Sequence, residues 1–184
     1  MRISECDFLI IPGLHNSEEE HWQSRWEKRL ATASRVVQAD WSNPDPDAWV
    51  AAVQERVAEA KRPVVLVAHS LGVLTVARAA PLLVPNKVVG GFLVAVPDPE
   101  LTVDQLPAIA LFAPVPKAPL PFPSLLIASR NDPHCSFERA QAIALDWGST
   151  VVDAGETGHI NAESGHGPWP EGLMRLGHFL GQIS

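Results

Sequence analysis

A serine lies between a buried strand and a helix, in the pentapeptide A-H-S-L-G of residues 68–72. The apolar run of residues 64–67 precedes it, and an apolar pattern typical of a helix follows. Strand, sharp turn at serine and helix form the setting of a nucleophile elbow, in which a strained backbone holds the hydroxyl above the sheet. The helix starts so close to the strand that small residues are needed nearby, and Ala68 and Gly72 are small. The pattern predicts Ser70 as a nucleophile.

A serine nucleophile needs a general base. In proteins with such an elbow the chain order is serine, acid, histidine, with each residue after a strand. His159 stands in a Gly-flanked loop after the last predicted strand, so we expect it to be the base. His166, in the next Gly-rich turn, is the alternative. His178 lies between leucines of the last predicted helix, which favours partly buried packing, and His69 is excluded because successive residues point in opposite directions.

The base in turn needs a carboxylate to orient it. Asp132 comes directly after the fifth predicted strand, in the sequence S-R-N-D-P of residues 129–133. Asp98 follows the fourth predicted strand and is the competitor, because the ends of neighbouring strands both reach an imidazole. The position directly after the strand favours Asp132 as the orienting acid.

An attacked carbonyl also needs two N–H donors for its developing negative charge. The N–H of Leu71, at the first turn of the helix after the nucleophile, has no partner within that helix. The loop after the first strand, P-G-L-H-N of residues 12–16, is expected to supply the second donor at Leu14. These two backbone groups are the predicted substrate-binding donors.

The elements that must position these residues alternate along the chain. Apolar runs predict strands at residues 8–11, 36–37, 64–67, 88–96, 125–128 and 150–152. Amphipathic patterns predict helices at residues 22–30, 46–60, 71–83, 136–147 and 173–180. A capping box of Ser17 and Glu20 is expected to start the first helix, and Asp45 with Pro46 the second.

Continuous runs of branched apolar residues are typical of strands covered on both faces, as in parallel sheets. The alternation of strand and helix therefore predicts an α/β fold with a doubly wound, mostly parallel sheet of about six strands. No repeat or linker divides the chain, so residues 1–184 are expected to form a single domain. Residues 97–123 hold eight of the seventeen prolines and form either a surface loop or a flap over the site.

Composition narrows the possible partners. The sequence of 184 residues is 46% hydrophobic and 19% charged, which is typical of a globular protein. Its net charge of −7, with no basic run, argues against binding nucleic acid or an anionic membrane. The scattered histidines lack metal-ligand spacing, and the turn after the first strand lacks a dinucleotide fingerprint, so neither metal nor cofactor is expected. Two unpaired cysteines and the lack of a signal segment predict a cytoplasmic protein.

Five features follow one another along the chain: P-G-L, a helix with His21, Trp22 and Trp26, A-H-S-L-G, N-D-P and T-G-H-I-N. In this order they resemble the small α/β-hydrolases akin to retinoblastoma-binding protein nine. The resemblance covers residues 8–180 and leaves no room for a large cap domain. It implies a minimal hydrolase with Ser70, Asp132 and His159 as its triad, acting on small esters or amides. The L-x-C-x-E segment that is associated with binding the retinoblastoma protein is absent, so no specific protein partner is expected.

Two functions from different classes remain. The first is a serine hydrolase that cleaves a small ester, thioester or amide through an acyl-enzyme. The second is a retired hydrolase fold that acts as a protein-interaction module, since fold does not fix function. The complete set of serine, acid and histidine favours the enzyme. Because the chain is short, we expect a shallow site that prefers short acyl groups.

Overall fold

In the computed structural model, residues 3–101, 104 and 106–183 are described, and they contain one sheet of six strands. The strands are β1 (Asp7–Ile11), β2 (Ala33–Arg35), β3 (Val64–His69), β4 (Val88–Val94), β5 (Ser124–Ala128) and β6 (Thr150–Asp153). All neighbouring strands are parallel, in the order β2-β1-β3-β4-β5-β6. The chain switches direction across the sheet at β1 and β3, which confirms the predicted doubly wound α/β fold.

Six α-helices connect and cover these strands in the described residues. They are α1 (Trp22–Arg29), α2 (Pro46–Glu59), α3 (Leu71–Ala79), α4 (Pro107–Ala110), α5 (Phe137–Trp147) and α6 (Pro170–Gln182). Asp45 caps α2 by accepting the N–H of Ala48, as its sequence predicts. Within the described part of the chain, none of the helices has the length and apolar character needed to cross a membrane.

Two apolar layers cover the two faces of the sheet, so β3 is buried on both faces. The first layer packs α2, α3, α4 and α5 against one face, mainly through aliphatic side chains. The second layer packs α1 and α6 against the other face and is rich in aromatic rings: Phe8, Trp22, Trp26, Phe92, Trp169 and Phe179. The second layer extends along the sheet to the loop that carries His159, because buried Ile160 belongs to it.

Three local predictions differ from the structure. The second strand lies at residues 33–35 rather than at 36–37, because β2 is an edge strand whose half-buried residues show no apolar run. The predicted capping box is absent: the side chain of His21 caps α1 by accepting the N–H of Gln23, while the Ser17 hydroxyl bonds to the Gln23 side chain. His178 is exposed on α6 rather than packed.

The proline-rich segment of residues 97–123 is described except at positions 102, 103 and 105. Its described part packs against the first layer, where four of its apolar side chains are buried: Ile109, Phe112, Val115 and Phe122. Arg78 of α3 donates to the carbonyls of Phe112 and Ala113, and Trp147 of α5 donates to the carbonyl of Pro116. The described residues of this segment are therefore bound to α3 and α5.

Candidate active site

Ser70 occupies the sharp turn between β3 and α3. Its φ of 54° and ψ of −127° lie in a region that non-glycine residues avoid, so the turn is strained. Gly72 explains how the helix begins so close to the sheet: a Cβ added there would lie 2.3 Å from the carbonyl oxygen of Ile11. The side chain of Ser70 makes no capping bond to its own helix. The hydroxyl is therefore free to bond elsewhere.

The structure brings Ser70, His159 and Asp132 into one line of hydrogen bonds. The hydroxyl oxygen of Ser70 lies 2.9 Å from His159 Nε2. Nδ1 of the same ring lies 2.9 and 3.0 Å from the two carboxylate oxygens of Asp132. The side chains of His159 and Asp132 are 10% and 3% exposed, so the line is largely shielded from water.

The chemistry of these groups fixes where the protons lie. An ionised carboxylate only accepts hydrogen bonds, so Nδ1 of His159 carries the proton that faces Asp132. In the neutral ring Nε2 is then unprotonated and accepts the hydrogen bond of the Ser70 hydroxyl. This is the tautomer in which an imidazole can take a proton from serine.

The loops that carry Asp132 and His159 follow the neighbouring strands β5 and β6 and are tied to each other. Oδ1 of Asn131 accepts the N–H of Gly158 at 2.7 Å, and the hydroxyl of Ser129 accepts the N–H of Thr157 at 3.0 Å. Asp132 also accepts the N–H of His134 at 2.9 Å, which fixes its carboxylate within its own loop. His159 and Asp132 are thus aligned by contacts between their loops as well as by their own hydrogen bond.

The alternative residues lie elsewhere. Asp98 accepts hydrogen bonds from Arg139 at 3.1 Å and from the N–H of Glu100, whereas His159 Nδ1 bonds to Asp132. His166 contacts the hydroxyl of Ser164 and lines a separate cavity beside α6. His134 contacts His159 only with its ring, edge to face, at 4.5 Å between centroids.

The loop that carries Leu14 lies close to Ser70 and to the N–H of Leu71. A Cβ added to Gly13 would lie 2.8 Å from the Ser70 Cβ and 3.1 Å from the Leu71 nitrogen, so the loop after β1 packs directly against the elbow. The N–H of His15 is bonded to the carbonyl of Trp41. Among the described residues, no hydrogen bond takes up the N–H of Leu14 or Leu71.

A row of imidazole rings includes His159 and its neighbours. His69 packs between His159, at 4.9 Å between centroids, and His21, at 4.8 Å. Burial lowers the pKa of His21 to about 3, and burial together with the nearby His159 lowers the pKa of His69 well below its usual value. Burial also lowers the pKa of His134 on the other side of His159. The rings that flank the base are therefore neutral at neutral pH.

A cleft of about 330 Å³ opens beside the Ser70 hydroxyl. Its walls come from residues 13–21, from the elbow and from residues 159–163. Glu18 and Glu163 face this cleft, and neither forms an ion pair with a described residue. No described residue of the 97–123 segment lines it, so that part of the segment is not a flap over the cleft.

Reasoning from the sequence missed the residues that support the base. The sequence argues against His69 as the base but does not indicate that its ring bonds to the backbone of His159. Asn131 and Ser129 tie the two loops together. Their proximity to Asp132 in the chain was the available signal, but their partners are more than twenty residues away and become visible only in the folded chain.

A parallel sheet with a strained serine elbow and this line of side chains defines the α/β-hydrolase class. A model of the family described as Serine hydrolase matches residues 8–178. A protein described as a YdeN-like hydrolase from Pectobacterium atrosepticum is 38% identical, with 98% of this chain and 94% of that chain covered and a TM-score of 0.86. The chain belongs to the serine hydrolase family.

Two further solved structures share the fold at lower identity. The ydeN gene product of B. subtilis is 19% identical over 96% of this chain and 99% of that chain, with a TM-score of 0.78. Thermogutta terrifontis esterase 2 is 16% identical over 100% of this chain and 86% of that chain, with a TM-score of 0.69. No curated protein matches the chain.

Proposed function

We propose that this protein hydrolyses small carboxylic esters, thioesters or amides through an acyl-enzyme on Ser70. The observation that carries the proposal is the unbroken line of hydrogen bonds from Ser70 through His159 to Asp132, each about the length of a good hydrogen bond. Membership of the serine hydrolase family supports it. A protein that had become an interaction module would have no need to keep all three groups aligned.

In the first half of the proposed reaction, the Ser70 oxygen attacks the substrate carbonyl while His159 Nε2 takes the hydroxyl proton. The carbonyl π electrons move to its oxygen, which gives a tetrahedral oxyanion. Asp132 stabilises the imidazolium and keeps its ring in place. The imidazolium then returns its proton to the leaving alcohol, thiol or amine as the carbonyl bond re-forms.

In the second half, water replaces the leaving group in the cleft. His159 takes a proton from this water, the hydroxide attacks the acyl carbonyl, and a second tetrahedral oxyanion forms. Collapse of that intermediate expels the Ser70 oxygen, which regains its proton from His159. The products are a carboxylic acid and the free enzyme, so the proposed cycle needs no metal or cofactor.

We assign the oxyanion hole to the N–H groups of Leu14 and Leu71. Leu14 follows Gly13, which packs against the Ser70 side chain, and Leu71 is the first residue of α3, where the helix dipole favours negative charge. Donors that are already oriented stabilise the developing charge without reorganising during the reaction. Loss of one side-chain oxyanion-hole donor in subtilisin, a serine protease of another fold, costs about 3 kcal/mol of transition-state stabilisation.

The size and charge of the cleft favour small substrates that carry no negative charge. A volume of about 330 Å³ is at the lower end for ligand pockets. Two carboxylates, Glu18 and Glu163, face it, while the flanking histidines are neutral. We therefore expect an anionic ester to react more slowly than a neutral ester of the same shape.

A fluorophosphonate probe tests the proposal, because it phosphonylates an activated serine. Thermogutta terrifontis esterase 2, which has the same fold, is phosphoramylated by tabun. We expect one equivalent of probe on the wild-type protein and none on Ser70→Ala, with p-nitrophenyl acetate hydrolysed only by the wild type. A folded wild-type protein that takes up no probe and hydrolyses no ester would instead support the interaction module.

A further inference from the structure

The residue before the nucleophile makes an unusual contact with the base. Nε2 of His69 lies 2.9 Å from the backbone carbonyl oxygen of His159. A carbonyl oxygen only accepts, so the His69 ring donates its Nε2–H and is fixed as that tautomer. Because His69 is 5% exposed, water does not compete strongly for this bond.

The bond falls at the point where the loop needs support. Gly158 and Ile160, on either side of His159, both have left-handed backbone conformations, with φ of 59° and 48°. Rotation at these residues would swing the imidazole away from Ser70. Two consecutive carbonyls resist such rotation: that of His159 bonds to His69, and that of Ile160 accepts the indole N–H of Trp22 at 2.9 Å.

His69 differs from the other anchors of the base in where it lies. Asp132 and Asn131 hold His159 from the loop after β5. His69 is the last residue of β3, one peptide bond from Ser70, and β3 pairs with β1 and β4 at the centre of the sheet. Its hydrogen bond therefore joins the backbone of the base to the strand that carries the nucleophile.

The surroundings of the ring leave it little freedom. His21 packs against it edge to face, Trp22 contacts it at 6.0 Å between centroids, and His159 lies on its other side. Burial keeps the ring neutral around neutral pH, so its single N–H is the one that it donates to the His159 carbonyl. The titratable groups that act on the ring are His159 and His21, which contact it, and His134, which lies beyond His159.

We infer that His69 is a positioning residue that sets the distance between the Ser70 oxygen and His159 Nε2 through the carbonyl of His159. The inference rests on the proposed function for its kinetic consequences. A base displaced by about 1 Å slows the chemical step up to about a hundredfold, while binding of a small ester is little changed. Loss of the bond therefore lowers kcat and leaves KM nearly constant.

The test compares two variants of matched size. His69→Gln keeps an N–H donor near the position of Nε2, whereas His69→Met fills similar space without a donor. We expect His69→Met to lose about 10- to 100-fold in kcat on p-nitrophenyl acetate with less than about a threefold change in KM. His69→Gln should recover most of the rate, and His166→Met, a histidine outside the cleft, should behave as wild type. Wild-type kcat in folded His69→Met would overturn the inference.

Nuclear magnetic resonance of the imidazoles tests the same point without substrate. In the wild type we expect the His69 ring to be the neutral Nε2–H tautomer, and the Nδ1–H of His159 to give a resonance protected by Asp132. His69→Met should broaden or lose that resonance. A wild-type His69 protonated on Nδ1, or an unchanged His159 resonance in the variant, would contradict the inference.

The two readouts separate this inference from the proposed function. A wild-type protein that neither hydrolyses the ester nor takes up fluorophosphonate removes the proposed function, and the resonances still decide whether His69 orients His159. An active wild type with an equally active, folded His69→Met variant removes only the role of His69. If His69→Met does not fold, the tautomer of the wild-type ring and the rate of His69→Gln remain as tests.

Discussion

The two layers that cover the sheet stabilise it with different chemistry. The first layer, with α2 to α5 and the described part of the proline-rich segment, is held mainly by aliphatic contacts. The second layer, with α1 and α6, is built from aromatic rings, and these rings continue as His21 and His69 up to His159. Among the described residues, ring nitrogens contact the backbone of the loop that carries His159 from the side of the second layer and not from the first.

The difference separates stability from chemistry. Aliphatic contacts are non-directional, so losing one in the first layer costs free energy of folding but leaves the orientation of His159 unchanged. Ring nitrogens donate along fixed directions, so losing one in the second layer also moves the loop. Substitutions in the two layers should therefore differ in their effect on kcat at equal cost in stability.

The largest expected effect belongs to Asp132, the proposed orienting acid. Asp132→Asn should lower kcat by about two to four orders of magnitude, because the amide favours the wrong tautomer and does not stabilise the imidazolium. Asp98→Asn, in the segment after the neighbouring strand β4, should change kcat little, since Asp98 bonds to Arg139. Steady-state kinetics of both variants checks the assignment, and the opposite ranking would place the acid on the loop after β4.

Phe112 tests the first layer. Its side chain is fully buried against Trp49 and lies beside the guanidinium of Arg78. Phe112→Ala should lower the free energy of unfolding by about 3–5 kcal/mol in a urea titration, while kcat at a temperature where the variant is folded stays near wild type. Phe112→Leu should lose about 1.5 kcal/mol or less.

Trp22→Phe provides the matching change in the second layer, because it removes the indole N–H from the carbonyl of Ile160. It should lower both the free energy of unfolding and kcat. Equal effects of Phe112→Ala and Trp22→Phe on kcat would show that the two layers do not differ as described.

The pH dependence of stability tests the buried histidines. In the folded protein His21 stays neutral until about pH 3, whereas in the unfolded chain it protonates near 6.5. Between these values the unfolded chain binds more protons, so the stability present above about pH 6.5 is lost as the pH falls. One such histidine contributes a slope of up to about 1.4 kcal/mol per pH unit.

His21→Asn removes this titration and keeps a good cap for α1. In urea titrations at pH 6.5 and 4.5, the variant should lose about 2–3 kcal/mol less on acidification than the wild type. Identical losses in the two proteins would mean that His21 is protonated in the folded state.

The smallest expected effect of a single change is that of one methylene added to the acyl chain. Each buried methylene contributes about 0.8 kcal/mol, so kcat/KM for p-nitrophenyl esters should rise over the first few carbons, to about hexanoate, and then level off as the chain outgrows a cleft of about 330 Å³. Leu111→Ser, in an exposed position of the proline-rich segment, should leave the plateau unchanged. A steady rise to palmitate would require a long apolar channel instead.

The sequence predicted most of the fold because most strands are buried on both faces and show continuous apolar runs, as residues 64–67 do. It failed at β2, where an edge strand lacks that pattern, and at α4, a single turn inside the proline-rich segment. Trp22 and Trp26 revealed the buried stripe of α1, but not the cap at His21, because the pattern of Ser17 and Glu20 was an equally good cap signal.

For the site, the sequence indicated Ser70, Asp132 and His159, since each follows a strand at the edge where the strands end together. The sequence did not predict the row of rings from His21 to His134. Those contacts join residues from α1, β3 and two loops, and no local pattern records which side chains meet across a sheet. The tie between Asn131 and Gly158 has the same origin.

Trapping of the acyl-enzyme tests the central claim most directly. Wild-type protein mixed with p-nitrophenyl acetate and quenched with acid within the first turnover should carry one acetyl group, which peptide mass spectrometry places on Ser70. His159→Ala and Ser70→Ala should show no such group at the same time point. Ester hydrolysis by the wild type with the acetyl group on another residue would contradict a mechanism through Ser70, His159 and Asp132.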